Sequence, residues 1–258
     1  MKKEYAVITG ASSGIGAHFA KTLAKEGYPL VLVARRETRL QELAKELNTE
    51  CQIIACDLSQ IDECKRLIGE LENIPYSVFI NNAGFGDCGA FLGTSVHKEL
   101  EMVDVNIKAL HFLMKEVLQY MEKKNGGYIL NVASSAGLIP AGPYMATYYA
   151  TKAYVVSLTS AVAEELRESG SKVYVGCLCP GPVDTEFNQV ANVEFALPGI
   201  SAEYCVNYAV KKMFQRKTVI VPTWYMKLAV TFGRFLPRKL YIRITSRQQK
   251  KKFYGVKK

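Results

Sequence analysis

The chain has 258 residues, 49% of them hydrophobic and 22% charged, with a net charge of +9; this balance excludes a disordered or fibrous chain and suits one domain with a sizeable core. No apolar run approaches the roughly 20 residues that span a bilayer, and the first residues lead straight into a strand without a signal-peptide core, so a cytoplasmic protein is expected. The charge is unevenly spread: residues 1–203 hold all 24 acids and 18 basic residues, whereas residues 204–258 hold 15 Lys or Arg and no acid.

Seven cysteines, odd in number and without C-x-x-C spacing, read as reduced, buried thiols. The three histidines, His18, His97 and His111, never fall at i, i+3 or i, i+4, so no metal site is expected.

Tyr5 to Thr9 reads as a strand, and Gly10, Ser12, Ser13, Gly14, Ile15 and Gly16 follow it directly within Thr-Gly-Ala-Ser-Ser-Gly-Ile-Gly. Ile15, Phe19 and Leu23 then recur at helical spacing. Strand, Gly-rich turn and helix start in that order form a phosphate cradle, because the turn lets backbone approach closely and the helix offers free N–H groups. The same residues match G-x-S-x-G, the nucleophile elbow of hydrolases, with Ser12 as nucleophile. An elbow serine needs a later histidine beyond an acid, yet the last histidine is His111, with five expected elements still to come.

Leu30 to Ala34 is a second strand, ending on Arg35 and Arg36 with no acid before Glu37. An arginine at this edge accommodates a 2′-phosphate, so NADPH is expected rather than NADH. Leu40, Leu43 and Leu47 mark a helix, and Gln52 to Cys56 a third strand running into Asp57 and Leu58. Cys64, Leu67, Ile68 and Leu71 give another helix, and Ser77 to Ile80 a fourth strand before Asn81-Asn82-Ala83-Gly84. Val103 to Glu122 reads as one long helix with Asn106 near its start. Tyr128 to Ser134 is a fifth, strand-like run ending in hydroxyls, with Ser135 next. Lys172 to Leu178 is a sixth, running into Pro180-Gly181-Pro182-Val183-Asp184-Thr185. Ala202 to Phe214 is helical, and Thr218 to Val221 is a last short strand. Strands alternating with helices imply a single doubly wound, Rossmann-like α/β domain, a parallel sheet of about seven strands with helices on both faces. Gly10, Arg35, Asp57, Gly84, Ser134 and Pro180 all lie just past a strand end, where ligands gather in such sheets.

Tyr-x-x-x-Lys occurs four times, as Tyr120 with Lys124, Tyr148 with Lys152, Tyr208 with Lys212, and Tyr254 with Lys258. Four residues return to the same helix face. Only Tyr148 and Lys152 follow a strand that ends in hydroxyls, and a fixed ammonium beside a phenol would draw its pKa down toward working range.

Together these motifs resemble the short-chain dehydrogenase/reductase family, over about residues 3–222. The resemblance implies hydride transfer between NADP(H) and a carbonyl or secondary alcohol, with Tyr148 as proton donor and acceptor. It also implies Lys152 as ribose ligand and electrostatic partner, Asn106 as anchor of a water relay to that lysine, and a serine that hydrogen-bonds the substrate oxygen. Asp57 and Leu58 would meet the adenine, Asn82, Ala83 and Gly84 the adjoining ribose, and Pro180, Gly181, Val183 and Thr185 the nicotinamide side. For the serine the pattern divides: Ser134 opens S-x-x-G with Gly137, while Ser135 has the usual separation of thirteen from the tyrosine. Ser134 is preferred because a strand end is fixed by its ladder, whereas the loop after it can absorb a residue.

Phe187, Val190, Val193, Phe195, Leu197 and Ile200 suggest an apolar lid over the cofactor and hence an apolar ketone, steroid-like or fatty-acyl. Residues 1–222 make the cofactor domain, and 223–258 a basic extension of it. In that extension Tyr225 to Leu236 reads as an amphipathic helix, Arg238 to Arg247 as a further basic turn, and the remainder as frayed. A membrane surface, the domain itself or a second subunit are the partners open to it; nucleic acid is not expected, for want of any accompanying motif. A homodimer or homotetramer is expected from the resemblance. The alternative from another class is a dinucleotide-binding scaffold that acts through its basic tail, and the serine hydrolase is a third.

Overall fold

Strands β1 (Tyr5–Thr9) and β2 (Leu30–Ala34) are apolar almost throughout because both of their faces are covered. Leu30, Leu32 and Ala34 enter one layer with Phe19, Leu23 and Leu40, while Val31 and Val33 enter the other with Leu67, Phe79 and Leu113. The two-residue period of a strand thus feeds two cores, one on each side of the sheet. The computed structural model describes residues 3–187, 191 and 199–255.

The remaining strands are β3 (Cys51–Ala55), β4 (Tyr76–Asn81), β5 (Gly127–Val132), β6 (Val173–Leu178) and β9 (Val219–Ile220), and with β1 and β2 they form a parallel sheet ordered β3-β2-β1-β4-β5-β6-β9. β7 (Val183–Asp184) and β8 (Ile200–Ser201) pair separately. The crossovers run through α1 (Gly14–Lys25), α2 (Glu37–Glu46), α3 (Ile61–Leu71), α4 (Val96–Val103) with α5 (Leu110–Lys123), α6 (Ala146–Glu168) and α7 (Ala202–Phe214). The chain works outward from β1 to β3 and then returns to lay β4 against β1. That reversal opens a crevice at the carboxyl ends of β1 and β4.

Two elements differ from the sequence expectation. The helix expected from Val103 starts at Val96 instead, and Asn106 lies inside a π-helical turn, Asp104–Ala109, that joins α4 to α5. Such turns are single-turn insertions in an α-helix, and apolar periodicity does not reveal them. The tail is also more ordered than its composition suggests: α8 (Trp224–Gly233) is followed by α9 (Arg238–Gly255), which runs past Arg247. Tyr241, Thr245 and Gln249, spaced one helical turn apart, are buried on its inner face.

Candidate active site

The Gly-rich turn is held from below by Thr9, fully buried at the end of β1, whose hydroxyl accepts from the backbone N–H groups of Asn82 (2.9 Å) and Ala83 (3.0 Å). The Asn82 amide returns the tie by donating to the carbonyls of Thr9 (2.9 Å) and Gly10 (3.2 Å). Gly10 has φ +65°, and a Cβ there would stand 2.9 Å from Ala83 Cα; one on Gly16 would run into the Gly10 carbonyl oxygen. The turn can pass this close to α1 and β4 only as glycine. At the start of α1, Ser13 makes no side-chain cap and no acid stands in the first turn, whereas Ser95 and Ser201 cap α4 and α7 with their hydroxyls. The leading N–H groups of α1 are left for an anion.

Every residue assigned above to the cofactor lines one cleft of about 670 Å³ along the carboxyl edge. The glycine cradle, the uncapped helix start and the cleft volume suit an extended dinucleotide. Among the described residues no three His, Cys, Asp or Glu are grouped to hold a metal.

Tyr148 and Lys152 face the cleft from the first two turns of α6, both buried, at 8% and 4% exposure. The Lys152 ammonium donates to the Val132 carbonyl at 2.9 Å and stands 5.8 Å from the Tyr148 ring centre. Lys124 over Tyr120 and Lys212 over Tyr208 have similar geometry, at 5.3 and 5.7 Å, without lining the cleft. Burial pushes the phenol up to about 12, and the Ser134 hydroxyl, hydrogen-bonded to it, pulls it partly back. Burial brings the Lys152 ammonium down to about 8. The shift of the phenol is therefore upward, set by desolvation, and not downward as expected; the neighbouring ammonium sits over the ring and is engaged by a carbonyl.

The structure brings Ser134 to the phenol; its hydroxyl also accepts from Ala136 N–H at 3.1 Å. Ser135 is buried at the head of the next turn, its N–H donating to Pro180 O at 2.8 Å. Asn106, fully buried, does not line the cleft. Its oxygen accepts from Phe85 N–H (3.1 Å), and its amide donates to Phe85 O (2.9 Å) and Thr151 Oγ1 (3.1 Å). Its side chain holds the Gly84–Phe85 loop against α6. A Cβ on Gly84 would come within 2.8 Å of Asn106 Oδ1 and 3.3 Å of Lys152 Nζ, so this glycine keeps the space between them open.

At the adenine end, Arg36 donates to Ser12 Oγ (3.1 Å) and Ser13 Oγ (2.8 Å) and, with Arg39, grips the Glu186 carboxylate at 3.2 and 2.5 Å. Both guanidiniums hold that carboxyl below its usual range. Arg35 turns to Glu101 at 3.2 Å. Among the described residues Ser12 has no imidazole partner: its hydroxyl accepts from Arg36, while His18 bonds the Gly14 carbonyl and His111 the Tyr154 hydroxyl. The hydrolase constellation is not assembled.

Sequence reading did not single out Glu186 and Tyr149, nor Met226, Gln248 and Gln249 from the two tail helices, all of which line the cleft, and it took Thr9 only as the end of the first strand. Gln249 donates to the Tyr149 hydroxyl at 2.5 Å, and its own carbonyl oxygen is buried without a hydrogen-bond partner among the described residues. No local motif marks Gln249; its only signal was the i, i+4, i+8 spacing with Tyr241 and Thr245. Of the expected lid, Phe187 packs 5.5 Å from the Tyr148 ring centre, and Ile200 lies in β8. Val190, Val193, Phe195 and Leu197 lie outside the described residues.

Residues 4–194 match the family model described as short chain dehydrogenase. The chain is 37% identical over 193 residues to an uncharacterized oxidoreductase of Staphylococcus epidermidis, covering 73% of this chain and 82% of that one. It is 28% identical over 267 residues to a very-long-chain 3-oxoacyl-CoA reductase of Rattus norvegicus, covering 95% and 84%. Among solved structures, a short-chain dehydrogenase from Sphingobium yanoikuyae in complex with NADPH superposes with a TM-score of 0.81 at 30% identity, covering 90% and 93%. One from Burkholderia phymatum in complex with NAD gives 0.82 at 26% identity, covering 91% and 94%.

Proposed function

We propose, from the premise that this chain belongs to the short-chain dehydrogenase family, that it reduces an apolar ketone with NADPH, a 3-oxoacyl chain or a carbonyl of similar character. The observation that carries this reading is the buried Tyr148 phenol, hydrogen-bonded to Ser134 on the wall of a 670 Å³ cleft. When bound, NADPH supplies the hydride. The protein's task is then the oxygen. A phenol that holds its proton can supply it to a carbonyl oxygen as that oxygen becomes an alkoxide. Ser134, bonded to that phenol, fixes where the substrate oxygen sits. The Lys152 ammonium, 5.8 Å from the ring centre, supplies positive charge as the phenol gives up its proton. Asn106 is a positioning residue that holds the loop at Gly84.

The preference for a 2′-phosphate rests on Arg36 and Arg39. Their grip on Glu186 shows that the two guanidiniums accept an anion beside Ser12 and Ser13, and a phosphate offers them more oxygens than a carboxylate does. The apolar substrate class is supported by Ile139, Met145, Phe187 and Met226 on the wall and by the likeness to 3-oxoacyl-CoA reductases. Following absorbance at 340 nm with a panel of ketones and both nicotinamides tests the reading. Turnover with NADPH and long-chain or bulky ketones is expected, and Tyr148→Phe should lower it by about 10²–10⁴-fold while binding NADPH unchanged. Undiminished turnover in that variant would overturn the assignment of the proton donor.

A further inference from the structure

The two tail helices carry a surface that the cleft does not use. On α8, Trp224, Leu228 and Phe232 recur every fourth residue and are exposed, and Phe235, Leu236, Leu240 and Ile244 continue the apolar surface onto α9. Trp224 is 75% exposed and Phe235 83%. Seven basic side chains stand among them, at Lys227, Arg234, Arg238, Lys239, Arg243, Arg247 and Lys250, and all seven residues are exposed. From Tyr204 onward the chain has no acid, and none of the seven is ion-paired among the described residues. No described helix is long and apolar enough to cross a membrane.

We propose that this face docks on an anionic lipid bilayer, with α8 and α9 lying in its surface. The composition decides among occupants. Two copies meeting through this face would set seven cations against seven with no acid to pair them, at a cost that grows as water is expelled. A nucleic acid would satisfy the cations but not the aliphatic side chains at Leu228, Leu236, Leu240 and Ile244, which offer no stacking surface. A bilayer with acidic headgroups meets both demands, since bulky apolar residues sink to the acyl boundary while lysine and arginine remain among the phosphates. The exposed apolar group at Phe91, Leu92, Val96 and Leu100 has acidic neighbours at Glu99 and Glu101 and does not have this character.

The docked face also bears on the cleft. Met226 of α8 and Gln248 and Gln249 of α9 form part of its wall, so an apolar substrate would leave the lipid at the mouth of the site. This last step rests on the reductase reading; the docking itself does not.

Trp224 is the single tryptophan of the chain, so its fluorescence reports the face directly. Full-length protein is titrated with vesicles of phosphatidylcholine alone and with one third phosphatidylglycerol. A blue shift is expected with the anionic vesicles, with affinity about tenfold or more above that for neutral vesicles, lost on raising the salt. Arg238→Gln with Arg243→Gln and Arg247→Gln should abolish the anionic preference. Phe232→Ser with Phe235→Ser should weaken binding to both vesicles about tenfold. The melting temperature of each variant, with and without NADPH, shows that the fold is retained. Indifference of the fluorescence to anionic vesicles would overturn the proposal. So would a concentration-dependent dimer abolished by the serine variant, or a shift produced by RNA and not by lipid. None of these readouts depends on turnover, so failure here leaves the reductase reading standing, and the reverse also holds.

Discussion

Lys152 is the residue at which site chemistry and fold stability oppose each other. Its ammonium is buried with one hydrogen-bond partner among the described residues, the Val132 carbonyl, and its pKa falls to about 8 from an ordinary 10.5. Below pH 8 both folded and unfolded chains hold the proton, and the folded state bears the whole cost of burying the charge, roughly 3 kcal/mol. Between about 8 and 10.5 the unfolded chain binds more protons than the folded one, so this cost shrinks as pH rises. Lys152→Met should therefore have a higher urea midpoint than the parent at pH 7, the advantage fading toward pH 10, while turnover is lost. A variant less stable at both pH values would show that the hydrogen bond to Val132 outweighs the buried charge. The phenol beside it was read from the sequence as shifted downward. The spacing of Tyr148 and Lys152 gives their common face, but not the depth at which they are buried, and depth sets the sign of the shift.

At the scale of elements, α9 turns a basic tail into a wall of the cleft. The amide of Gln249 reaches Tyr149 of α6, a hundred residues earlier, and leaves its own oxygen unpaired. A buried acceptor without a donor can take one from a water or from a ligand in the cleft that it lines. Gln249→Leu should lower kcat/KM for substrates carrying a hydroxyl or amide by about tenfold, the worth of one hydrogen bond, with the NADPH Kd unchanged. An equal loss for substrates lacking such a group would mean the residue only packs. The sheet strands were legible in the sequence because each is a short apolar run ending at a polar turn; β1 and β2 fall where those runs place them, and α7 spans the expected Ala202 to Phe214. The turn around Gly10 and Gly16 was legible because it lies in one contiguous run. The π turn at Asp104–Ala109 was not, since one extra residue in a helix leaves its composition unchanged. Neither was the placement of Gln249, whose contact with Tyr149 is made only in three dimensions.

For the molecule as a whole, cofactor and fold are linked, because the dinucleotide would bridge β1, β2, β3, β4, β5 and α6 along one edge. NADPH at about 100 times its Kd should add ~2.7 kcal/mol to stability, a rise of about 5–10 °C in melting temperature for a chain of this size. NADH at the same concentration should raise it less, and Arg36→Ala should close the gap between the two. Equal shifts for both nucleotides in the parent protein would contradict the 2′-phosphate assignment. The edge-bound geometry also leaves the opposite rim of the sheet free. There the turns at Gly27, Asn125 and Gly170 enter β2, β5 and β6 with positive φ, and an added Cβ at Gly126 meets nothing within 4 Å. A fluorophore, a surface tether or an inserted reporter peptide placed on that rim would sit a full strand length from the chemistry, so the enzyme can be handled from one side while it works on the other.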